Sequence, residues 1–197
     1  MHKRKVNLIA AMDAERGIGL NNNLPWECPE DLRNFYNYTY GKIVIAGSKT
    51  VDSLIARKKL PADESWGSEK QPLLPGRALI VLSGKDYVRD YLRFGLYVAR
   101  DLEHAFQLCD AVRENWSRAL GVDLGNPVVI GGAQLYAEVL EKDLVEEMCL
   151  TTVHGTYQCD TYFPEWNPLE WDITFHTQDV KFDINVLERK VIKDEPA

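Results

Sequence analysis

Apolar residues recur along this chain in several short β-rich runs, at 6–12, 42–46, 78–83, 96–99 and 128–130, with a later one near 147–153. Helical stretches separate them, which is the pattern of an α/β sheet joined by crossovers. The end of the chain changes period. Trp171-Asp172-Ile173-Thr174-Phe175-His176-Thr177 and Val180-Lys181-Phe182-Asp183-Ile184-Asn185-Val186 alternate apolar and polar, which predicts an antiparallel pair closing one edge. Helices are predicted over 29–38, 102–115 and 133–140. Two polar stretches with turn formers and no sustained periodicity, 56–71 and 117–125, read as surface loop insertions. The expected fold is therefore α/β: a mostly parallel twisted sheet with an antiparallel C-terminal strand pair and flanking helices.

Length adds that the 197 residues suit one domain spanning 1–197, with 45% hydrophobic residues to fill a core. A net charge of -7 argues against a general nucleic-acid binder. It leaves room for small anionic ligands, which need only local cations and helix N-termini. No apolar run approaches a membrane span, and Met1-His2-Lys3-Arg4-Lys5 lacks the apolar core of a signal peptide. A cytoplasmic protein with no membrane partner is expected. Cys28, Cys109, Cys149 and Cys159 show neither CxxC pairing nor metal-ligand spacing, so free thiols and no metal site are expected.

Asp31 is the first candidate for chemistry. Leu24-Pro25-Trp26 and Pro29-Glu30 precede it, and at helical spacing it shares a face with Phe35, with Leu32 beside them. An acid in a first turn after Pro29 is ordinarily just favoured by the helix dipole. A carboxylate among apolar groups is costly, however, unless something uses it. Three strand ends carry similar punctuation: Gly47-Ser48-Lys49-Thr50, Ser83-Gly84-Lys85 and Gly131-Gly132-Ala133-Gln134. In an open α/β sheet ligands bind beyond the carboxyl ends of strands, and glycine before a helix lets backbone N–H groups meet a phosphate. One such site is commonly a tight turn. Three together point to a nucleotide. Leu74-Pro75-Gly76-Arg77 presents an arginine at a rigid turn, either solvated or poised to clamp a carboxylate. Thr151 is either a plain strand former or a hydroxyl that orients an acid.

Together these segments resemble the dihydrofolate reductase family. The matching pieces are Leu8-Ile9-Ala10-Ala11, Gly17-Ile18-Gly19, Leu24-Pro25-Trp26, Pro29-Glu30-Asp31-Leu32 with Phe35, Ile45-Ala46-Gly47-Ser48-Lys49-Thr50, Ser53-Leu54, Leu74-Pro75-Gly76-Arg77 and Val129-Ile130-Gly131-Gly132-Ala133. Tyr136, Leu150-Thr151, Asp160-Thr161-Tyr162-Phe163-Pro164 and Val186-Leu187-Glu188-Arg189 complete the series.

The resemblance implies NADPH-dependent reduction of 7,8-dihydrofolate to tetrahydrofolate, with hydride moving to C6 of the pterin and a proton reaching N5. It implies that Asp31, supported by Thr151, binds the pterin's amino group and adjacent ring nitrogen. Leu24 would gate a proton-bearing water and Trp26 would anchor the loop. Ile9, Ala10, Leu32, Phe35, Leu54, Leu74, Ile130 and Tyr136 would wall the substrate, with Arg77 clamping the glutamate α-carboxylate. For NADPH, Ala11, Ile18, Gly19, Leu20, Asn21, Asn22 and Asn23 would lie along the nicotinamide and ribose. Lys49 and Thr50, with Gly131, Gly132, Ala133, Gln134 and Leu135, would hold the pyrophosphate, and Gly47, Ser48, Ile130 and Tyr136 would also contact the cofactor. Leu82, Ser83, Gly84 and Arg100 would face the adenosine end. Asp160 matches an acid that supports the closed loop. Antifolate inhibitors and a monomeric state are also implied.

The chain departs from the family pattern at Ser48, where a basic residue commonly meets the cofactor's 2′-phosphate, and at Tyr36, where a basic residue often helps with the glutamate tail. Ala133 replaces a frequent third glycine. A pteridine or pyrimidine reductase of the same fold is the second enzyme reading, separated by turnover of tail-less pterins. A module that binds NADPH and folate without catalysis is the third; it would bind NADPH and never oxidise it.

Overall fold

The computed structural model describes residues 4–57, 72–84, 96–121 and 123–191. In chain order its elements are β1 (Val6–Met12), β2 (Gly17–Gly19), α1 (Pro29–Thr39), β3 (Ile43–Gly47), α2 (Ser48–Arg57), β4 (Ala78–Leu82), β5 (Tyr97–Ala99), α3 (Leu102–Leu120), β6 (Val128–Val129), α4 (Ala133–Glu141), β7 (Val145–Val153), β8 (Thr161–Tyr162), a 3-10 turn at Pro168–Glu170, β9 (Trp171–Gln178) and β10 (Phe182–Arg189). Eight strands form one sheet in the order β5-β4-β3-β6-β1-β7-β10-β9, while β2 and β8 pair apart. Every neighbour from β5 to β7 is parallel; β10 runs antiparallel to both β7 and β9.

The parallel strands are apolar on both faces because helices cover both. On one side Leu8, Ala10, Ile43, Ile45 and Ile80 pack against Ala105, Phe106 and Cys109 of α3 and Leu135, Tyr136 and Val139 of α4. On the other, Ile9, Val44, Ala46, Leu79 and Val81 meet Val51, Leu54 and Ile55 of α2 and Phe35 and Tyr38 of α1. β9 is the exception. Beyond Trp171 it is exposed along its length, as an edge strand with polar alternation allows.

The strand sequence around β1 positions the site. β1 lies between β6 and β7, which follow it far along the chain, and β3 lies beyond β6. The connections therefore diverge at β1, which leaves a crevice past the carboxyl ends of β1, β3 and β6.

Boundaries differ from the sequence reading in instructive places. The 117–125 stretch is not a loop throughout. Helix α3 continues to Leu120, with Arg118 donating to Glu114 at 2.6 Å one turn back, and ends where Gly121 takes φ +66. The antiparallel strand placed at 180–186 runs instead over Phe182–Arg189, because Asp179 and Val180 form the turn after β9. β2 and β8 are too short, at three and two residues, to show a period; α2 is not among the helices predicted from sequence, although Val51, Leu54 and Ile55 share the face it packs on the sheet. Of the 56–71 insertion only Ala56 and Arg57 are described, and both belong to α2. The remaining 58–71 lie outside the described residues, as does Lys85.

Candidate active site

The cleft past the strand ends has a volume of about 670 Å³, and Asp31 stands in its wall. The residue reaches that position through helix geometry. Pro29 starts α1 without a side-chain cap from Cys28, and Asp31 falls in the first turn, facing inward. It is 7% exposed. Burial pushes its carboxyl above the ordinary carboxylate range, and the Thr151 hydroxyl draws it back part of the way. Thr151 Oγ1 is itself buried, with no hydrogen bond formed in the protein. The hydroxyl favours the charged form of Asp31 and retains capacity for a further partner. A buried acid beside an unspent hydroxyl is an arrangement that a hydrogen-bonding ligand completes.

Around Asp31 the substrate side is apolar. Ile9 and Ala10 of β1, Leu32 and Phe35 of α1, Leu54 of α2, Ile130 and Tyr136 all line the cleft, as do Ala11, Ile18 and Leu24. Leu32 is 51% exposed, but its exposed surface borders this cleft. Tyr136 Oη donates to the Ile9 carbonyl at 2.7 Å, so α4 is pinned to β1 next to the acid. Burial and the Asp31 charge push its phenol far above its usual value, leaving it neutral.

The opposite wall is built from glycines and helix starts. Gly47, Ser48, Lys49 and Thr50 lead into α2, and Gly131, Gly132, Ala133, Gln134 and Leu135 lead into α4. Neither helix has an acid in its first turn, and Gly132 caps α4 without a side chain. Two helix N-termini lining one cleft suit a pyrophosphate. Gly131 is required by its conformation and by space, and Gly132 sits in a tight fit. Gly131 lies at φ +109, and a Cβ there would meet the Tyr136 ring at 3.1 Å; one on Gly132 would meet Thr50 Oγ1 at 3.3 Å. The Gly131–Gly132 peptide is cis, and the Gly131 carbonyl accepts from Gly47 N at 2.6 Å, tying the two junctions together. Leu82 and Gly84 close this end. These residues fit an NADPH molecule lying along the strand ends.

A loop covers the cleft between β2 and α1. Leu20 and Asn23 exchange backbone hydrogen bonds at 2.9 Å around Asn21 and Asn22, both at positive φ. This is a type I′ turn, a conformation that asparagine tolerates. Asp160 secures it, accepting from Asn21 N at 2.8 Å and from the Thr161 hydroxyl at 2.8 Å while its own N–H donates to Gly19 O at 2.9 Å. Gly19, Asn22 and Asn23 line the cleft; Leu20 and Asn21 belong to the turn but not to the wall.

Several other expected residues stand behind the wall. Trp26 is 7% exposed, with its ring against Tyr157 at 5.3 Å and its Nε1 buried without a protein partner. Leu74 is half-buried in the core layer under α2. Ser83 is buried, its N–H on Ala99 O at 3.0 Å, and Arg100 is exposed beside His104. Arg77 is 8% exposed: Nε donates to Thr39 Oγ1 at 2.8 Å, Nη1 to Pro75 O at 3.0 Å and Nη2 to Tyr36 O at 3.3 Å. The Tyr36 ring lies over its guanidinium at 4.7 Å. One N–H on each terminal nitrogen is left over from that set. Burial works against the Arg77 charge, and Tyr36 and Tyr40 offset this in part.

Ser53, Arg57, Glu138 and Thr161 also line the cleft and were not anticipated. Three of them had a helical signal. Ser53 and Arg57 lie three and seven residues after Thr50, and Glu138 lies four after Gln134, so each shares a face with an expected wall residue. Thr161 depended on the β2–β8 pairing, which had no sequence periodicity.

The family model for dihydrofolate reductase matches residues 5–193 of the chain. A dihydrofolate reductase of Neisseria meningitidis is 33% identical over 167 residues, covering 85% of this chain and 83% of that protein. One from Bacillus subtilis is 28% identical over 180 residues, covering 91% and 88%. The fold is shared with an Enterococcus faecalis dihydrofolate reductase solved with NADP(H) and RAB-propyl, at a TM-score of 0.68, 24% identity and coverage of 96% and 98%. On that match over nearly its whole length, the chain belongs to the dihydrofolate reductase family.

Proposed function

We propose that Asp31 is the pterin-recognising acid of this chain, acting within the NADPH-dependent reduction of 7,8-dihydrofolate to tetrahydrofolate that its family carries out. One observation carries the reading: a buried carboxylate, raised in pKa, stands among apolar side chains in the wall of a cleft that the N-termini of α2 and α4 also line. The acid binds the amino group and adjacent nitrogen of the pterin, and Thr151 completes that edge with its unspent hydroxyl. A charged acceptor there biases the protonation and tautomer of the ring, so that N5 becomes the proton's destination. NADPH, when bound, supplies the hydride for C6. Gly131, Gly132 and Gly47 let the backbone approach its pyrophosphate, and Lys49 supplies positive charge. The loop held by Asp160 excludes water from the nicotinamide end, with Leu24 at the entrance for the proton-bearing water.

Arg77 is proposed to take the substrate's α-carboxylate with its two remaining N–H groups, once the Tyr36 ring moves aside. Arg77→Ala should raise the KM for dihydrofolate roughly 10- to 100-fold, the worth of a charge-assisted hydrogen bond. It should leave the NADPH KM within a few-fold, and should lower the Tm because Thr39 Oγ1 and two carbonyls lose their donor. Steady-state kinetics against each substrate checks this. Equal losses for both substrates would assign Arg77 to folding alone. A monomer is the proposed working unit, with antifolates competing at the Asp31 wall. Cys28, Cys109, Cys149 and Cys159 are unpaired, which fits a reducing compartment, and the cytoplasm is the proposed location.

A further inference from the structure

We propose that Asp13 is a positioning residue for hydride transfer, holding the two segments that flank the cleft's covering loop and setting the Trp26 ring through Tyr157. The inference rests on the reductase reading of the cleft. Asp13 follows the last residue of β1, and its carboxylate is only 2% exposed. Three backbone N–H groups satisfy it. Oδ1 accepts from Glu15 N at 2.9 Å and from Gly17 N at 2.7 Å; Oδ2 accepts from Tyr157 N at 2.9 Å. Its own backbone joins the same knot, with Asp13 N donating to Gly17 O at 2.9 Å and Arg16 N to Asp13 O at 3.0 Å.

The two oxygens therefore serve different segments. Oδ1 shapes the hairpin that delivers Ile18 and Gly19 to the cleft wall. Oδ2 holds the segment after β7, which Ala14 N also reaches by donating to Gly155 O at 3.2 Å. Tyr157, the residue Oδ2 grips, carries the ring packed on Trp26 at 5.3 Å, tilted by 60°. Trp26 lies two residues beyond Leu24 in the loop that closes the cleft. The junction has little slack, since a Cβ on Gly17 would come within 2.3 Å of Cys159 Sγ and 3.1 Å of Asp13 Oδ1. One carboxylate thus registers the β2 hairpin, the post-β7 segment and, through one ring contact, the Trp26 anchor. An acid is required because only a carboxylate accepts at both oxygens.

The test uses the full chain and its Asp13→Asn, Tyr157→Ala and double variants. The asparagine keeps one acceptor and loses the other; the alanine keeps every Asp13 bond and removes the ring on Trp26. Mixing each NADPH complex with dihydrofolate should show single-turnover rates 10- to 100-fold lower in both single variants, as small misplacements of reacting groups produce. NADPH affinity should stay within about threefold. The double variant should be little slower than the worse single one, since both act on the same contact, and Tyr157→Phe should recover most of the rate. An unchanged rate in Tyr157→Ala, or losses that multiply in the double variant, would overturn the proposal. If Asp13→Asn does not fold, an unchanged rate in Tyr157→Ala still overturns the proposal. Near-ultraviolet circular dichroism gives a readout without turnover: Asp13→Asn should lose the same aromatic band as Tyr157→Ala, and its retention contradicts the coupling. Wild-type turnover in the same assay tests the reductase reading separately.

Discussion

Asp31→Asn is expected to lower turnover at neutral pH on the order of 100-fold or more while raising the stability of the unliganded fold. The two effects have one cause. Wild-type Asp31 is desolvated, so the folded chain holds its proton more tightly than the unfolded chain does. Between the ordinary carboxylate value of 3.8 and the raised value, the folded state therefore gains stability as pH falls. At neutral pH the ionised acid opposes folding, and asparagine removes that penalty. The Tm of the variant should exceed that of wild type at pH 7, and the gap should close in acid, where wild type is neutral as well. NADPH binding should be nearly unchanged. Turnover should recover partly at low pH, where the pterin arrives already protonated. Thermal melts and steady-state rates across pH check both halves. A variant that keeps its turnover removes Asp31 from the mechanism.

Gly131→Ala is expected to have the second-largest effect, and at the other wall of the cleft. A side chain at φ +109 is strained wherever it points, and here the Cβ also meets the Tyr136 ring at 3.1 Å. That ring cannot swing away cheaply, because it is 5% exposed and its hydroxyl is bound to the Ile9 carbonyl. Strain of ~2 kcal/mol should lower the Tm by roughly 4–8 °C for a chain of this size. The displaced strand-to-helix junction should also weaken NADPH at least tenfold, because the backbone it presents no longer matches the pyrophosphate. Fluorescence titration with NADPH measures this, and wild-type affinity would show that the junction does not touch the cofactor.

Much of the architecture was readable because the core strands are apolar without interruption. Leu8-Ile9-Ala10 and Val44-Ile45-Ala46 can only be central strands covered on both sides, and the alternating end of the chain can only be its edge. The cleft walls at Gly47, Gly131 and Asp31 were readable for a related reason: glycine before a helix and an acid among apolar groups are both locally costly. What escaped had no local cost to announce it. Arg57 and Glu138 are ordinary surface residues by composition and become wall residues only through helical spacing. Asp13 resembles any acid at a strand end until the post-β7 segment, 144 residues on, is folded against it. Arg77 shows the reverse. Its turn sequence suggested a cation at the cleft rim, whereas packing seats it behind Tyr36, at the end of α1.

The most direct measurement is the oxidation of NADPH by the wild-type chain with dihydrofolate, with a tail-less dihydropterin and with no pterin added. Asp31 in the apolar wall and Arg77 behind it predict rapid oxidation with dihydrofolate, much slower oxidation with the tail-less pterin, and none without substrate. Tight NADPH binding with no oxidation in the presence of dihydrofolate would contradict the account and leave a binding module on a reductase fold.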